Sequence, residues 1–328
     1  MLGKISQKQK NYFVPLRLCW NSLSQNLRAR RIVSIALPLV FVLFFTDCKT
    51  ETNPLQLNPS QWREIADDLG RRVKIPARVE RAVSLAPNLT EIVFNIGAGE
   101  RLVGVTTYCN YPTAAQKIRK VGDTINPNIE TIIALKPQIV LVSTASQIET
   151  FTKQLESQDI AVFVTNPNSL DDIYKSIFKI GEIFDKNEKA RQVVENLQKR
   201  VAEIETKTAQ TQPAKVFLQI SKEPLFTIGK ESFLTELITR AGGISITKEV
   251  ATAYPKISKE TALALNPDAI ILSDSEDNRE PNDAFKSSPA VKDGKVFKVN
   301  ADILSRPAPR IVDALEEMAK DLHPENFK

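Results

Sequence analysis

An internal repeat constrains the fold of this chain more than any other feature. Ile129-Glu-Thr-Ile-Ile-Ala-Leu-Lys-Pro-Gln-Ile-Val-Leu-Val-Ser143 aligns without gaps on Lys259-Glu-Thr-Ala-Leu-Ala-Leu-Asn-Pro-Asp-Ala-Ile-Ile-Leu-Ser273, with Glu, Thr, Ala, Leu, Pro and Ser at matched positions. A second echo pairs Leu89-Thr-Glu-Ile and Gly97 with Leu234-Thr-Glu-Leu and Gly242. Repetition at this spacing predicts two related units of similar architecture. Each unit alternates short β-rich apolar runs with helical patterns. The runs are Ala82-Val-Ser-Leu85, Leu102-Val-Gly-Val-Thr106, Ile139–Ser143 and Ala161-Val-Phe-Val-Thr165 in the first half, and Lys215–Ile220, Ala269–Ser273 and Lys295–Val299 in the second. Such alternation predicts βα units around a mostly parallel sheet, that is, an α/β fold with two Rossmann-like lobes. In the first helix, Pro87 suits the opening turn, Leu89, Ile92, Val93 and Ile96 repeat at helical spacing, and Gly97 with Gly99 ends it.

Between the halves the rhythm breaks. Residues 187–211 are charged and amphipathic, with Val193, Val194, Leu197, Val201 and Ile204 on one face. They predict one helix of some 20 residues, about 30 Å long, which can join two lobes and leave a cleft between them. A cleft rimmed by loops at strand ends is where a small molecule would bind.

The N-terminal segment has a different character. Arg28, Arg30 and Arg31 lead into the uncharged run Ile32–Phe45, followed by Thr46, Asp47 and Cys48. Spanning a bilayer takes about 20 apolar residues, so this 14-residue run fits the core of an export signal better than a permanent span. Cys48 resembles the acylated cysteine of bacterial lipoproteins, which holds a soluble domain at a membrane surface. Residues 49–60 are polar with two prolines, Pro54 and Pro59, and read as a tether. The expected division is a signal over 1–47, a tether over 48–61, an N-terminal α/β lobe over 62–186, the inter-lobe helix over 187–211 and a C-terminal α/β lobe over 212–328.

Charge and side-chain inventory exclude several function classes. The formal net charge of +5 comes from the leader, where residues 1–47 hold seven of the 44 bases and one of the 39 acids, leaving 37 against 38. The body exerts no net pull on a polyanion, so no nucleic-acid partner is expected. There is one histidine, His323, read as a solvated tail residue, so a multi-histidine metal site is ruled out. With Cys48 assigned to lipid, Cys109 has no second thiol outside the leader and reads as a small, partly buried side chain. The chain has no phosphate loop, Gly-x-Ser-x-Gly elbow, Cys-x-x-Cys pair or His-based dyad, so it is expected not to be an enzyme and to need no cofactor. A purely structural surface lipoprotein is the alternative from another class, and stoichiometric ligand binding separates the two.

From about Trp62 to Leu322 the chain resembles the cobalamin and ferric-siderophore periplasmic binding proteins of ABC importers, closest to the vitamin B12-binding branch. The resemblance rests on Val83-Ser-Leu-Ala-Pro-Asn-Leu-Thr-Glu91, Gly104-Val-Thr-Thr-Tyr-Cys-Asn-Tyr-Pro112 with Ala115-Gln-Lys-Ile118, Phe217-Leu-Gln219, Phe226-Thr-Ile-Gly-Lys-Glu-Ser232 and Arg306-Pro-Ala-Pro-Arg310. It implies the class III architecture, two α/β lobes on a helical backbone. It also implies a monomer that captures cobalamin or a related corrinoid and delivers it to a dimeric ABC permease with its ATPase. A ferric siderophore or haem is the runner-up ligand. Carried over by position, Tyr108 and Tyr254 would lay aromatic rings on the ligand, while Asp302 and Arg306 would reach its amide-bearing periphery. Thr124, Ser143 and Ile220 stand where the B12 branch has larger aromatics, implying a wider or more polar pocket. Arg310 is expected to pair with a nearby acid. Glu130 and Glu260 match the glutamates that the family presents to permease arginines, one per lobe. Their places in the repeat set equivalent carboxylates at two ends of one surface, which suits a two-fold symmetric partner.

Overall fold

The computed structural model describes residues 62–143 and 148–328. The signal expected over 1–47, Cys48 and the tether expected to residue 61 lie outside the described residues. The first described element is a hairpin, β1 (Trp62–Ala66) with β2 (Arg72–Pro76), paired antiparallel from Trp62–Pro76 to Ala66–Arg72. Asp67 makes its turn: Oδ1 accepts from the amides of Leu69 (3.0 Å) and Arg71 (2.9 Å). Arg63 then ties the hairpin to the next layer by donating to the carbonyls of Glu182 (2.7 Å) and Ile183 (3.0 Å).

The first lobe runs β3 (Ala82–Ser84), α1 (Pro87–Asn95), β4 (Leu102–Val105), α2 (Ile129–Ala134), β5 (Ile139–Ser143), α3 (Ile148–Glu156), β6 (Ala161–Thr165) and α4 (Leu170–Ile183). The connector α5 (Asn187–Thr208) leads to β7 (Ala214–Gln219), α6 (Phe233–Arg240), β8 (Gly243–Ser245), α7 (Lys259–Leu265), β9 (Ala269–Asp274), α8 (Pro289–Lys292), β10 (Val296–Asn300), α9 (Ala301–Leu304) and α10 (Ile311–Leu322). Both lobe sheets are parallel, ordered β4-β3-β5-β6 and β8-β7-β9-β10. Matching the strands in chain order gives the same topology twice. Even the turn after the repeated helix is the same: Lys136 and Asn266, each preceding a proline, both take the left-handed conformation, with φ of 47° and 43°.

Successive strand residues face opposite sides of a sheet, and here both sides are buried. Ile139 and Leu141 of β5, with Ala269 and Ile271 of β9, enter one core that runs continuously through both lobes and α5. Val140 and Val142 enter a second core confined to the first lobe, and Ile270 and Leu272 a third in the second lobe. Such doubly covered parallel strands read as unbroken apolar runs, which is why they were visible in the sequence. On α5, Ala190, Val194, Leu197, Val201 and Ile204 are buried, whereas Val193 is only partly so. The helix ends at Thr208, short of the expected 211. The Thr211 amide and hydroxyl both turn back to the Thr208 carbonyl (3.1 and 2.7 Å), and Pro213 follows.

One expectation is corrected outright. His323 is not a solvated tail residue: it is 4 % exposed, and its Nε2 lies 3.1 Å from the Gly242 carbonyl oxygen. Gly242 follows α6 with φ +81°, and the His323 ring fills the space where a side chain there would stand.

Candidate functional site

A cavity of about 560 Å³ opens between the lobes. Its wall is built from segments that follow strands. The first lobe contributes Ala86–Asn88 after β3, Tyr108 and Thr124 after β4, Ser143 at the end of β5 and Asn166–Asn168 after β6. Residues 231–233 after β7, Ala253 and Tyr254 after β8, and Asp302 with Ser305–Pro307 after β10 come from the second lobe. Crevices outside the carboxyl ends of parallel strands are the usual binding places in α/β sheets, because loops and helix N-termini gather there.

Two tyrosines stand out in this cavity. Tyr108 is 59 % and Tyr254 48 % exposed, one in each lobe. Beneath Tyr108, buried Cys109 lies 3.1 Å from the hydroxyls of both Thr90 and Thr106, and Lys120 donates to the Cys109 carbonyl at 3.2 Å, so the loop is anchored while its ring stays free. The Tyr254 loop is held by backbone pairing: Gly229 donates to Ala253 (2.9 Å) and Lys230 to Val250 (2.9 Å). Gly229 is required there, since a Cβ would lie 2.2 Å from the Thr252 oxygen and 2.5 Å from that of Val250. Thr124 follows a turn made by Asp123, whose carboxyl is held below its ordinary range by the amides of Asn126 and Ile125. Ile220, expected on the wall, is instead partly buried against the continuous core with its amide bonded to the Phe226 carbonyl (2.9 Å), and it does not line the cavity.

At the cavity floor a polar cluster crosses from lobe to lobe. Glu91 of α1 is 1 % exposed and accepts from Arg306 (3.1 Å) and from Arg310 through Nε (2.8 Å) and a terminal nitrogen (2.5 Å). Arg306, 6 % exposed, also donates to Asn110 Oδ1 (2.7 Å) and the Tyr108 carbonyl (3.3 Å) and pairs with Asp302 at 2.8 Å. Asn110 in turn donates to Asp302 at 2.7 Å. Arg310 stacks on Tyr111, 3.9 Å from the ring centroid, and its hydrogen bond to Glu91 raises its already high pKa. Thus Arg306 does line the cavity, but its guanidinium is committed to protein acceptors. The charged lining residues among those described are Glu231, Asp302 and Arg306, so the wall offers a ligand no free cation. Nor do three His, Cys, Asp or Glu side chains gather to hold a bare metal ion among the described residues.

Glu130 and Glu260 lie away from the cavity, exposed in the first turns of α2 and α7. Each helix has a side-chain N-cap, Asn128 accepting from Thr131 (2.8 Å) and Ser258 from Thr261 (3.1 Å). The Glu260 carboxyl is held below its ordinary range by its own backbone amide and the Ser258 hydroxyl. Two residues were not singled out in the sequence. Glu91 looked like part of a repeated helical motif, and Asn88, 5 % exposed on the wall, sat unnoticed beside Pro87.

Residues 82–302 match the periplasmic binding protein family, and the chain belongs to it. An uncharacterized ABC transporter substrate-binding lipoprotein of Bacillus subtilis (strain 168) is 32 % identical over 289 residues, covering 85 % of this chain and 89 % of the relative. The vitamin B12-binding protein of Yersinia pestis (strain Pestoides F) is 29 % identical over 249 residues, 76 % of this chain and 88 % of that protein. The crystal structure of the periplasmic vitamin B12 binding protein of Vibrio cholerae superposes with a TM-score of 0.66 at 27 % identity, covering 77 % of this chain and all of that one. The architecture, two α/β lobes on a long helix, is that of the class III periplasmic binding proteins, and the chain is a substrate-binding protein of the ABC importer type.

Proposed function

We propose that this protein captures cobalamin or a related corrinoid between its lobes and delivers it to a dimeric ABC permease with its ATPase. The observation that carries the reading is the pair of exposed tyrosines, Tyr108 and Tyr254, one from each lobe, on a cavity whose charged lining residues among those described are Glu231, Asp302 and Arg306. A corrin is a large, partly apolar disc, and facing aromatic rings supply contact area to such a disc at little conformational cost. With Arg306 bound to Glu91 and Asp302, a strongly anionic siderophore would meet carboxylates rather than free cations. The B12-binding relatives support the same choice. Export of the chain and acylation at Cys48 belong to this reading, in keeping with the lipoprotein relative.

Calorimetric titration of the full-length chain in detergent with cyanocobalamin, haem and a ferric siderophore tests it. Sub-micromolar binding of cyanocobalamin at one site per chain is expected, with Tyr108→Ala and Tyr254→Ala each weakening it about tenfold, the effect of losing an aromatic contact of roughly 1.4 kcal/mol. Tight binding of haem or the siderophore with weak cyanocobalamin binding would overturn the corrinoid assignment. The absence of binding by all three would favour a structural surface protein.

A further inference from the structure

Asn88 is the second residue of α1, forms part of the cavity wall and is 5 % exposed, yet its Nδ2 has no hydrogen-bond partner among the described residues. A buried amide donor left unpaired is costly and uncommon, and the cost is tolerated where a ligand completes the bond. Its setting points the same way. The N-cap of α1 is Ala86, which has no side chain to accept from the first turn, and Pro87 stands next to it. Across the cavity the first turn of α6 also forms wall, through Ser232 and Phe233. The positive ends of two helix dipoles, one per lobe, therefore converge on one space and favour an electron-rich group there. The nearby charges set what kind of group it is. Glu231 and Asp302 are carboxylates and Arg306 is held by Glu91 and Asp302, so an uncharged acceptor is accommodated better than an anion.

We propose that Asn88 is a specificity-determining residue that donates its Nδ2–H to a neutral carboxamide oxygen on the ligand's rim. Asn88 lines the cavity while its Nδ2 is buried, and because the terminal torsion of asparagine is broad, rotation about it can turn that donor towards the cavity. The proposal rests on the cavity being the ligand site, as argued above, and deepens that reading by naming the chemistry that Asn88 recognises.

Asn88→Ala and Asn88→Asp in the full-length chain test it, with two measurements on each. In thermal unfolding without ligand, both variants are expected to melt no lower than the wild type, because each removes an unpaired donor and Asp complements the dipole of the first turn. In calorimetric titration, the cyanocobalamin dissociation constant is expected to rise roughly tenfold in N88A and at least as much in N88D, which keeps the size but offers no donor. Wild-type affinity in both variants would overturn the role of Asn88 while leaving the corrinoid reading intact. A fall in melting temperature without a loss of affinity would mark Asn88 as a structural residue and overturn it equally. Should the wild type bind haem in place of cyanocobalamin, the corrinoid reading fails. In that case a weakened haem affinity in N88D but not in N88A would signal repulsion of a carboxylate and overturn the carboxamide assignment.

Discussion

Glu91 concentrates the molecule's electrostatics in one side chain. It is buried in α1, and both of its guanidinium partners come from the other lobe, so its two carboxylate oxygens fasten the halves together beneath the cavity. Removing one member of a buried, hydrogen-bonded charge cluster leaves the others desolvated without compensation, at a cost of about 3–5 kcal/mol. Glu91→Ala is therefore expected to lower the unfolding free energy by about that amount in urea titration; a loss below about 1 kcal/mol, the size of a surface pair, would show that Arg306 and Arg310 are held adequately without it. At this scale the sequence was partly legible. Tyr108, Tyr254, Thr124, Ser143, Asp302 and Arg306 could be nominated by position, and all of them line the cavity. The pairing of Arg306 with Glu91 could not be seen, because the two lie 215 positions apart and only the folded lobes bring them together. Ile220 was misplaced for a related reason. Side chains alternate along a strand and its continuation, and at the end of β7 the face that a residue takes is decided by the register with the next segment, here the pairing of Ile220 with Phe226.

Elements with a strong periodicity declared themselves, and weak ones did not. The long connector and the buried strands are apolar on a helical or continuous pattern, so burial alone specifies them. The β1–β2 hairpin was missed because the alternation in Arg72-Val-Lys-Ile-Pro76 is short, with Val73 and Ile75 as its two core residues; three-residue β8 begins with a glycine and gains its identity from pairing with β7. The C-terminal helix carries a further consequence. Asp321 stands in the last turn of α10, where a negative charge opposes the helix dipole. Burial, with Glu317 four residues earlier as a lesser cause, raises its pKa from 3.8 to about 6. Because the folded pKa lies above the unfolded one, the protein is not penalised below pH 3.8 and is progressively destabilised as the pH rises to about 6, above which the penalty is complete. Asp321→Asn is accordingly expected to raise the melting temperature at pH 7.5 and to leave it unchanged near pH 3.5. A gain of equal size at both values would show that the carboxyl's ionisation is not the cause.

In the whole molecule, duplication governs how force and recognition are distributed. Glu91 and Glu236 occupy the same place in the repeated helix motif, and both reach out of their own lobe: Glu91 to Arg306 and Arg310, Glu236 to the amide of Leu170 at the start of α4 (3.2 Å). With a hydrophobic core running unbroken through α4, α5, α6 and α10, the lobes are braced at equivalent points, and a large hinge opening would have to break buried contacts on both sides. A rigid pair of lobes suits recognition by geometry rather than by closure. Glu130 and Glu260 are exposed at matching positions of α2 and α7, and a permease with two-fold symmetry would meet one carboxylate on each half. Both lie outside the cavity, so Glu130→Arg combined with Glu260→Arg is expected to abolish ligand uptake by cells while leaving the dissociation constant of the isolated protein within about twofold. Each single change should leave partial uptake, since one of two equivalent contacts survives. If the double variant instead lost ligand affinity with uptake falling only in proportion, the carboxylates would be serving the lobes themselves. The matched spacing would then reflect helix-end stabilisation inherited through the duplication, with Asn128 and Ser258 as its caps.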